Sequence, residues 1–193
     1  MAIFATLFHK IKSMITIISS TNRRNSEALH FAAHCLAVFK SKTDETIELL
    51  ALENIAHDWF HPNMYSTGGQ SDSLAKLQDA YILPAEKFFF IVPEYNGGFP
   101  GVLKLFLDAC SVRKYKKSFN GKKAALMGIA SGRAGNLRGM EHLTGVLNHV
   151  GTIVMPNKLP ISSIENLMNK DGKIVDPNTL QIIQKQVEDF LAF

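Results

Sequence analysis

The chain has 193 residues, of which 46% are apolar and 20% are charged, and this composition fits one compact globular domain. Its formal net charge of +4 favours anionic ligands, but the basic residues are mostly spread out and lack the aromatic spacing of a nucleic-acid surface. No apolar run approaches the roughly 20 residues that cross a bilayer. We therefore expect no nucleic-acid partner and no membrane partner.

Residues 1–13 are interpreted as an N-terminal extension before a domain of residues 14–193. Ile3, Phe4, Leu7 and Ile11 have helical spacing, and no small-residue cleavage site follows them, so the segment is a poor signal peptide. Met14 is the first residue of the first predicted strand, and one explanation is that it is the natural start.

From residue 14 onwards, strand patterns and helix patterns alternate. Short apolar, β-prone runs predict five strands, at residues 14–19, 46–50, 88–92, 123–130 and 152–155. Apolar residues that recur every three or four positions predict helices after Ser26, within 73–87, from Pro100, over 136–150 and after Asp176. Strands that are apolar throughout and alternate with helices indicate a parallel sheet covered on both faces. The predicted fold class is α/β, doubly wound.

Cysteine and histidine spacing predicts no metal site. Cys35 and Cys110 lie far apart and have no zinc-ligand spacing, so we expect reduced thiols in a cytoplasmic protein. His30 and His34 are four residues apart on a predicted helix, but no H-E-x-x-H motif surrounds them.

The loop after the first strand, residues 19–29, reads SSTNRRNSEAL. It contains neither G-x-G-x-x-G nor G-x-x-x-x-G-K, so it is neither a dinucleotide fingerprint nor a triphosphate loop. Hydroxyls, an amide and two arginines gather instead at a helix N-terminus, which favours an anion. The alternative is that Asn25 or Ser26 only caps the helix and both arginines are solvated.

The loop after the third strand reads PEYNGGFPG, residues 93–101. Gly97 and Gly98 allow close approach of the backbone to a flat ligand, or a positive φ. Pro93 and Pro100 stiffen both ends, so we expect an open, ordered segment and not a tight turn. The alternative is an ordinary connection between a strand and a helix.

The loop after the fourth strand reads SGRAGNLRG, residues 131–139, and again combines glycines with polar side chains before a helix. In doubly wound sheets, ligands bind outside the carboxyl ends of the strands, so all three loops lie where a ligand is expected. For the third loop, an alternative is that Asn136 simply caps the helix.

Together the three loops resemble a known family. The motifs T-N-R-x-x-S, P-E-Y-N-G-x-x-P-G-x-L-K and S-G-R-A-G are similar to those of the NADPH-dependent FMN reductases of the flavodoxin-like superfamily, whose relatives reduce chromate, quinones and azo dyes. The resemblance covers residues 14 to about 191. It implies a three-layer α/β/α sandwich whose five-stranded parallel sheet has the strand order 2-1-3-4-5.

The resemblance also implies the residues of an FMN site. The first loop would hold the FMN phosphate through Thr21, Arg23, Arg24, Asn25 and Ser26. The isoalloxazine ring would be lined by Pro93, Glu94, Tyr95, Asn96 and Gly97, with Ser131, Gly132 and Arg133 closing its other side. No catalytic side chain is expected, because the cofactor carries the chemistry. Our hypothesis is that flavin N5 lies near the backbone of Asn96, Gly97 and Gly98.

The function that the resemblance implies is transfer of hydride from NADPH or NADH, through bound FMN, to a quinone, azo, flavin or metal-oxyanion acceptor. Relatives are commonly homodimers or homotetramers. The alternatives are a non-enzymatic electron carrier of the flavodoxin type and a flavin-free binding or regulatory module. The segment 57–69 is interpreted as a lid or a subunit contact, in which Trp59, Phe60 and Tyr65 would shape a neighbour's substrate pocket. The alternative is local packing.

Overall fold

The computed structural model describes residues 13–193, and the helical spacing predicted for Ile3 to Ile11 lies outside this part of the chain. The strands are β1 (Met14–Ser19), β2 (Thr46–Ala51), β3 (Lys87–Pro93), β4 (Lys123–Ile129), β5 (Ile153–Val154) and β6 (Leu159–Ile161). The helices are α1 (Glu27–Lys42), α2 (Asp72–Leu77, continued by a π turn over Gln78–Ile82), α3 (Gly101–Cys110), α4 (Tyr115–Phe119), α5 (Leu137–His149) and α6 (Pro177–Ala192).

All strand pairs of the sheet are parallel, and the order is β2-β1-β3-β4-β5. This order confirms the prediction of a flavodoxin-like, doubly wound sheet. The predicted count of five strands was wrong, because β6 also pairs with β4, further along the edge that β5 occupies. Sequence patterns missed β6 because it has three residues and contains Pro160, which is tolerated on an edge strand.

The central strand β3 shows how the two cores form. Phe88 and Phe90 pack on one face of the sheet, whereas Phe89 and Ile91 pack on the other, and all four side chains are fully buried. Successive side chains of a strand point to opposite faces, so an uninterrupted apolar run supplies both cores. Helices α1 and α6 cover one face, while α3 and α5 cover the other.

Helix boundaries follow local signals. At α6, the Asp176 carboxylate accepts a hydrogen bond of 2.7 Å from the backbone N–H of Thr179, and Pro177 occupies the first turn, as predicted.

Among residues 13–193, no helix is both long and apolar enough to cross a membrane.

The segment 57–69 has a buried part and an exposed part. Trp59 is 2% exposed and meets the Phe106 ring edge-on, with centroids 6.4 Å apart, so local packing accounts for this residue. Phe60 and Tyr65 are 71% and 60% exposed. A lid or contact role for these two residues stays a prediction.

Candidate functional site

The loops after β1, β3 and β4 meet at the carboxyl edge of the sheet and enclose a cleft of about 460 Å³. It lies beside the point between β1 and β3 where strand order reverses. The predicted site residues that line it are Thr21, Arg23, Arg24, Asn25, Ser26, Pro93, Glu94, Tyr95 and Ser131. Five predicted residues are not part of this lining: Asn96, Gly97, Gly98, Gly132 and Arg133. The lining also includes residues that the sequence did not single out: Glu27, Ala28, Ile129, Ala130, Ile164 and Glu165.

A hydrogen bond joins the first loop to the second. The hydroxyls of Thr21 and Tyr95 are 2.6 Å apart, although 74 positions separate the two residues in sequence. The backbone N–H of Arg23 also donates to Thr21 Oγ1, at 3.1 Å. Thr21 is fully buried, so its hydroxyl fixes both the path of the first loop and the position of the tyrosine at the cleft wall.

The first loop presents several hydrogen-bond donors to the cleft. The backbone N–H groups of Glu27 and Ala28 open α1 and have no acceptor within residues 13–193, as is usual for the first turn of a helix. Arg23 and Arg24 are exposed, and neither forms an ion pair in the described part of the chain. Two free guanidinium groups beside a helix N-terminus make a site for an anion.

Glu53, a residue that the sequence analysis missed, already approaches this helix end. Its Oε2 accepts hydrogen bonds from Ser26 Oγ at 3.0 Å and from the Ser26 backbone N–H at 3.3 Å. Glu53 lies in a short 3-10 turn, Leu52–Asn54, directly after β2. Because β2 pairs with β1, its carboxyl end reaches the same edge of the sheet. Only the strand order could have revealed this neighbour.

The side chain of Ser26 does not act as a helix cap, which was the alternative role for this residue. Ser26 occupies the N-cap position of α1, but its hydroxyl makes no capping hydrogen bond. Asn25, immediately before it, has a φ of 53° and turns the chain into the helix, a conformation that asparagine tolerates better than most residues.

The second loop closes into a tight turn, so the prediction of an open segment was wrong. Tyr95 and Gly98 exchange two backbone hydrogen bonds, of 2.9 and 3.0 Å. Asn96 and Gly97 have φ values of 51° and 76°, as a type I′ turn requires. Pro93 and Pro100 stand outside these four residues and therefore do not oppose the turn.

The turn changes which backbone donors are available. The Gly98 N–H is bonded to the Tyr95 carbonyl, so it is not a free donor for the flavin edge that the sequence placed near Asn96, Gly97 and Gly98. The N–H groups of Asn96 and Gly97 have no acceptor among the described residues. The tip of the second loop therefore offers two donors, and not three.

Asn136 fastens the third loop to the end of β3. Its Nδ2 donates to the carbonyls of Val92 and Pro93, both at 3.0 Å, and the residue is 1% exposed. It stands at the N-cap of α5, but its side chain makes no capping bond. A Cβ on Gly139 would come within 2.1 Å of Asn136 Oδ1, so the helix turn beneath this side chain needs a glycine. The capping alternative does not account for Asn136.

Metal and thiol chemistry find no support in the described part of the chain. No cluster of three His, Cys, Asp or Glu side chains within residues 13–193 is placed to hold a metal ion. Cys35 and Cys110 are free and buried, and burial raises the pKa of both thiols well above the usual value. A thiolate nucleophile is therefore absent from these two positions.

The strand order, the donors of the first loop and the tyrosine of the second loop define a flavodoxin-like α/β protein with a cleft suited to an anionic, aromatic ligand. Comparison with known proteins identifies it further. The model of the NADPH-dependent FMN reductase family matches residues 13–166, and the chain belongs to this family.

Known proteins that are similar to this chain include two relatives and a solved structure. An NAD(P)H-dependent FMN reductase of Pseudomonas aeruginosa is 36% identical over 109 residues, or 55% of this chain and 58% of that protein. A 2-hydroxy-1,4-benzoquinone reductase of Burkholderia sp is 29% identical over 133 residues, or 67% of this chain and 73% of that protein. The fold is similar to that of the flavoenzyme NAD(P)H:(acceptor) oxidoreductase of Paracoccus denitrificans, with a TM-score of 0.70 and 24% identity over 94% of this chain and 96% of that one. The alignment with the Pseudomonas reductase covers 58% of that protein, which is less than two thirds of its length.

Proposed function

We propose that this chain is an FMN-dependent NAD(P)H oxidoreductase that reduces a small-molecule acceptor: a quinone, an azo compound, a flavin or a metal oxyanion. One observation carries the proposal. The hydrogen bond between Thr21 and Tyr95 unites an anion-binding helix end and an aromatic wall in one cleft. FMN has a phosphate and an aromatic ring system that match these two parts.

The donor set of the first loop fits a phosphate. Arg23 and Arg24 supply positive charge, and Ser26 together with the N–H groups of Glu27 and Ala28 supplies hydrogen-bond donors. The helix dipole adds to their attraction for an anion. That Glu53 already accepts hydrogen bonds from Ser26 supports the idea that a negatively charged group suits this position.

The second and third loops suit a flat ring. Pro93, Glu94 and Tyr95 of the second loop and Ser131 of the third loop line the same cleft. The free N–H groups of Asn96 and Gly97 are the donors that would orient the polar edge of the ring. When bound, FMN supplies the acceptance and donation of hydride, and the chain binds, orients and polarises it.

We assign the nicotinamide donor to the same edge of the cleft. Arg133 is exposed and makes no ion pair within residues 13–193, so its guanidinium is available for the 2′-phosphate of NADPH.

Exposed aromatic groups at Phe60 and Tyr65 support a homodimer or homotetramer. Buried free thiols at Cys35 and Cys110 suit the reducing cytoplasm.

The visible absorption spectrum of the purified protein, recorded with and without added FMN, tests the proposal. We expect flavin bands that stay with the protein on gel filtration and that bleach when NADPH is added without oxygen. Free FMN with NADPH and no protein is the control. Repeated oxidation of NADPH in the presence of a quinone distinguishes a reductase from a flavodoxin-type carrier. If excess FMN leaves no flavin on the protein, the proposal fails.

A further inference from the structure

We propose that Glu53 is a built-in competitor for the flavin phosphate and that it sets how tightly FMN is held. This inference rests on the proposed function, because it concerns the same cleft. The Glu53 carboxylate is bound to both donors of Ser26, the Oγ–H at 3.0 Å and the backbone N–H at 3.3 Å. A phosphate at the N-terminus of α1 would require those donors as well.

The environment of Ser26 makes this competition direct. Ser26 is 6% exposed, so water does not readily replace a lost partner, and its hydroxyl can donate one hydrogen bond only. While Glu53 accepts that bond, a phosphate cannot. Ligand binding must either displace the carboxylate or accept a negative charge beside the phosphate, and both outcomes weaken binding.

Charge compensation does not remove the conflict. Glu53 forms no ion pair within residues 13–193, so neither Arg23 nor Arg24 neutralises it. Glu27 adds a second carboxylate in the first turn of α1. The two arginines therefore attract a phosphate to a helix end that already has two carboxylates nearby. The repulsion by these carboxylates weakens FMN binding, so FMN can dissociate from the protein.

Only the phosphate should be affected by this competition. Riboflavin has the same ring as FMN but lacks the phosphate, so it would meet the second and third loops in the same way. The ratio of the two dissociation constants therefore isolates the contribution of the helix end. A merely structural role of Glu53 would change both constants together.

The test is to titrate wild type, Glu53→Gln and Glu48→Gln with FMN and with riboflavin, following quenching of flavin fluorescence. Glutamine keeps the size and the acceptor oxygen of Glu53 but removes the charge. We expect Glu53→Gln to bind FMN about tenfold more tightly and riboflavin within about twofold of wild type. Glu48 is exposed and lies on β2, the strand that leads into the turn of Glu53, so it is the matched control for the change in net charge and should leave both constants unchanged.

A second variant keeps the test decisive if Glu53→Gln folds poorly. Glu53→Asp retains the charge but is one methylene shorter, so it loses its reach to Ser26 and should tighten FMN by about threefold. Unchanged or weaker FMN binding in a folded Glu53 variant would overturn the inference while the proposed function stands. Failure of the wild type and of every variant to bind FMN would overturn the proposed function, and this inference with it.

Discussion

The hydrogen bond between Thr21 and Tyr95 allows a quantitative prediction, because its two ends lie in different environments. Thr21 is fully buried, whereas Tyr95 is partly exposed. In Tyr95→Phe, the Thr21 hydroxyl loses this partner in a place that water does not reach, which should cost about 1 to 3 kcal/mol of unfolding free energy. Thr21→Val removes the partner of both the tyrosine hydroxyl and the Arg23 backbone N–H, but Tyr95 is partly exposed and Arg23 is exposed, so both groups can bind water. We expect a smaller loss of about 0.5 to 1.5 kcal/mol.

The assay is urea unfolding followed by fluorescence of Trp59, which is buried and is the chain's single tryptophan. A double-mutant cycle over the two substitutions should give a coupling energy of about 1 kcal/mol. Tyr65→Phe is the matched control, because Tyr65 is 60% exposed and should leave the midpoint unchanged. A coupling energy below about 0.3 kcal/mol would refute the view that this bond joins the two loops.

Three further predictions concern the rest of the molecule. Arg23→Ala should weaken FMN binding by about 1.5 to 3 kcal/mol, or about ten- to 150-fold in the dissociation constant, because a charge-assisted hydrogen bond is lost. Asn136→Asp should lower the free energy of unfolding by about 3 kcal/mol, because it buries a charge and removes the donor to Val92 and Pro93. Burial lowers the pKa of Lys122 from 10.5 to about 8. Between these two pH values the folded state therefore binds fewer protons than the unfolded state. The free energy of unfolding of wild type, relative to that of Lys122→Met, should rise with pH across this window.

Each of these predictions has a control and a contrary outcome. Arg138→Ala, an exposed arginine on α5, should bind FMN as wild type does, and equal binding by Arg23→Ala would remove Arg23 from the phosphate site. Asn148→Asp, on the same helix and exposed, should not change the urea midpoint. If Asn136→Asp is as stable as wild type, the hydrogen bonds from Asn136 to Val92 and Pro93 do not stabilise the fold. For Lys122, a stability difference that does not change between about pH 7.5 and about pH 9.5 would contradict the lowered pKa.

The features that sequence predicted well depend on neighbours along the chain. The run Phe88 to Val92 is apolar throughout, and this alone indicates a strand buried on both faces. Asp176 and Pro177 mark the start of a helix through local backbone chemistry. The three loop motifs were sufficient to suggest the family, because each has a characteristic residue order.

One local prediction failed, and the cause is physical. The stretch Asn96-Gly97 is a strong signal for a type I′ turn, since both residues tolerate a positive φ. The flanking prolines do not prevent this turn, because each proline restricts only its own φ and the conformation of the residue before it. The turn therefore formed where an open segment was expected, and it removed the Gly98 N–H from the available donors.

By itself, the sequence determined the fold class, every strand except β6, every α-helix except α4, and the loops that carry the candidate site. Only the tertiary structure decided which side chains of those loops touch: Thr21 with Tyr95, Asn136 with the end of β3, and Ser26 with Glu53. These partners are 74, 44 and 27 positions apart, so no local pattern links them. They meet because parallel strands deliver their carboxyl ends to one edge of the sheet, and strand order and register then set which residues are neighbours.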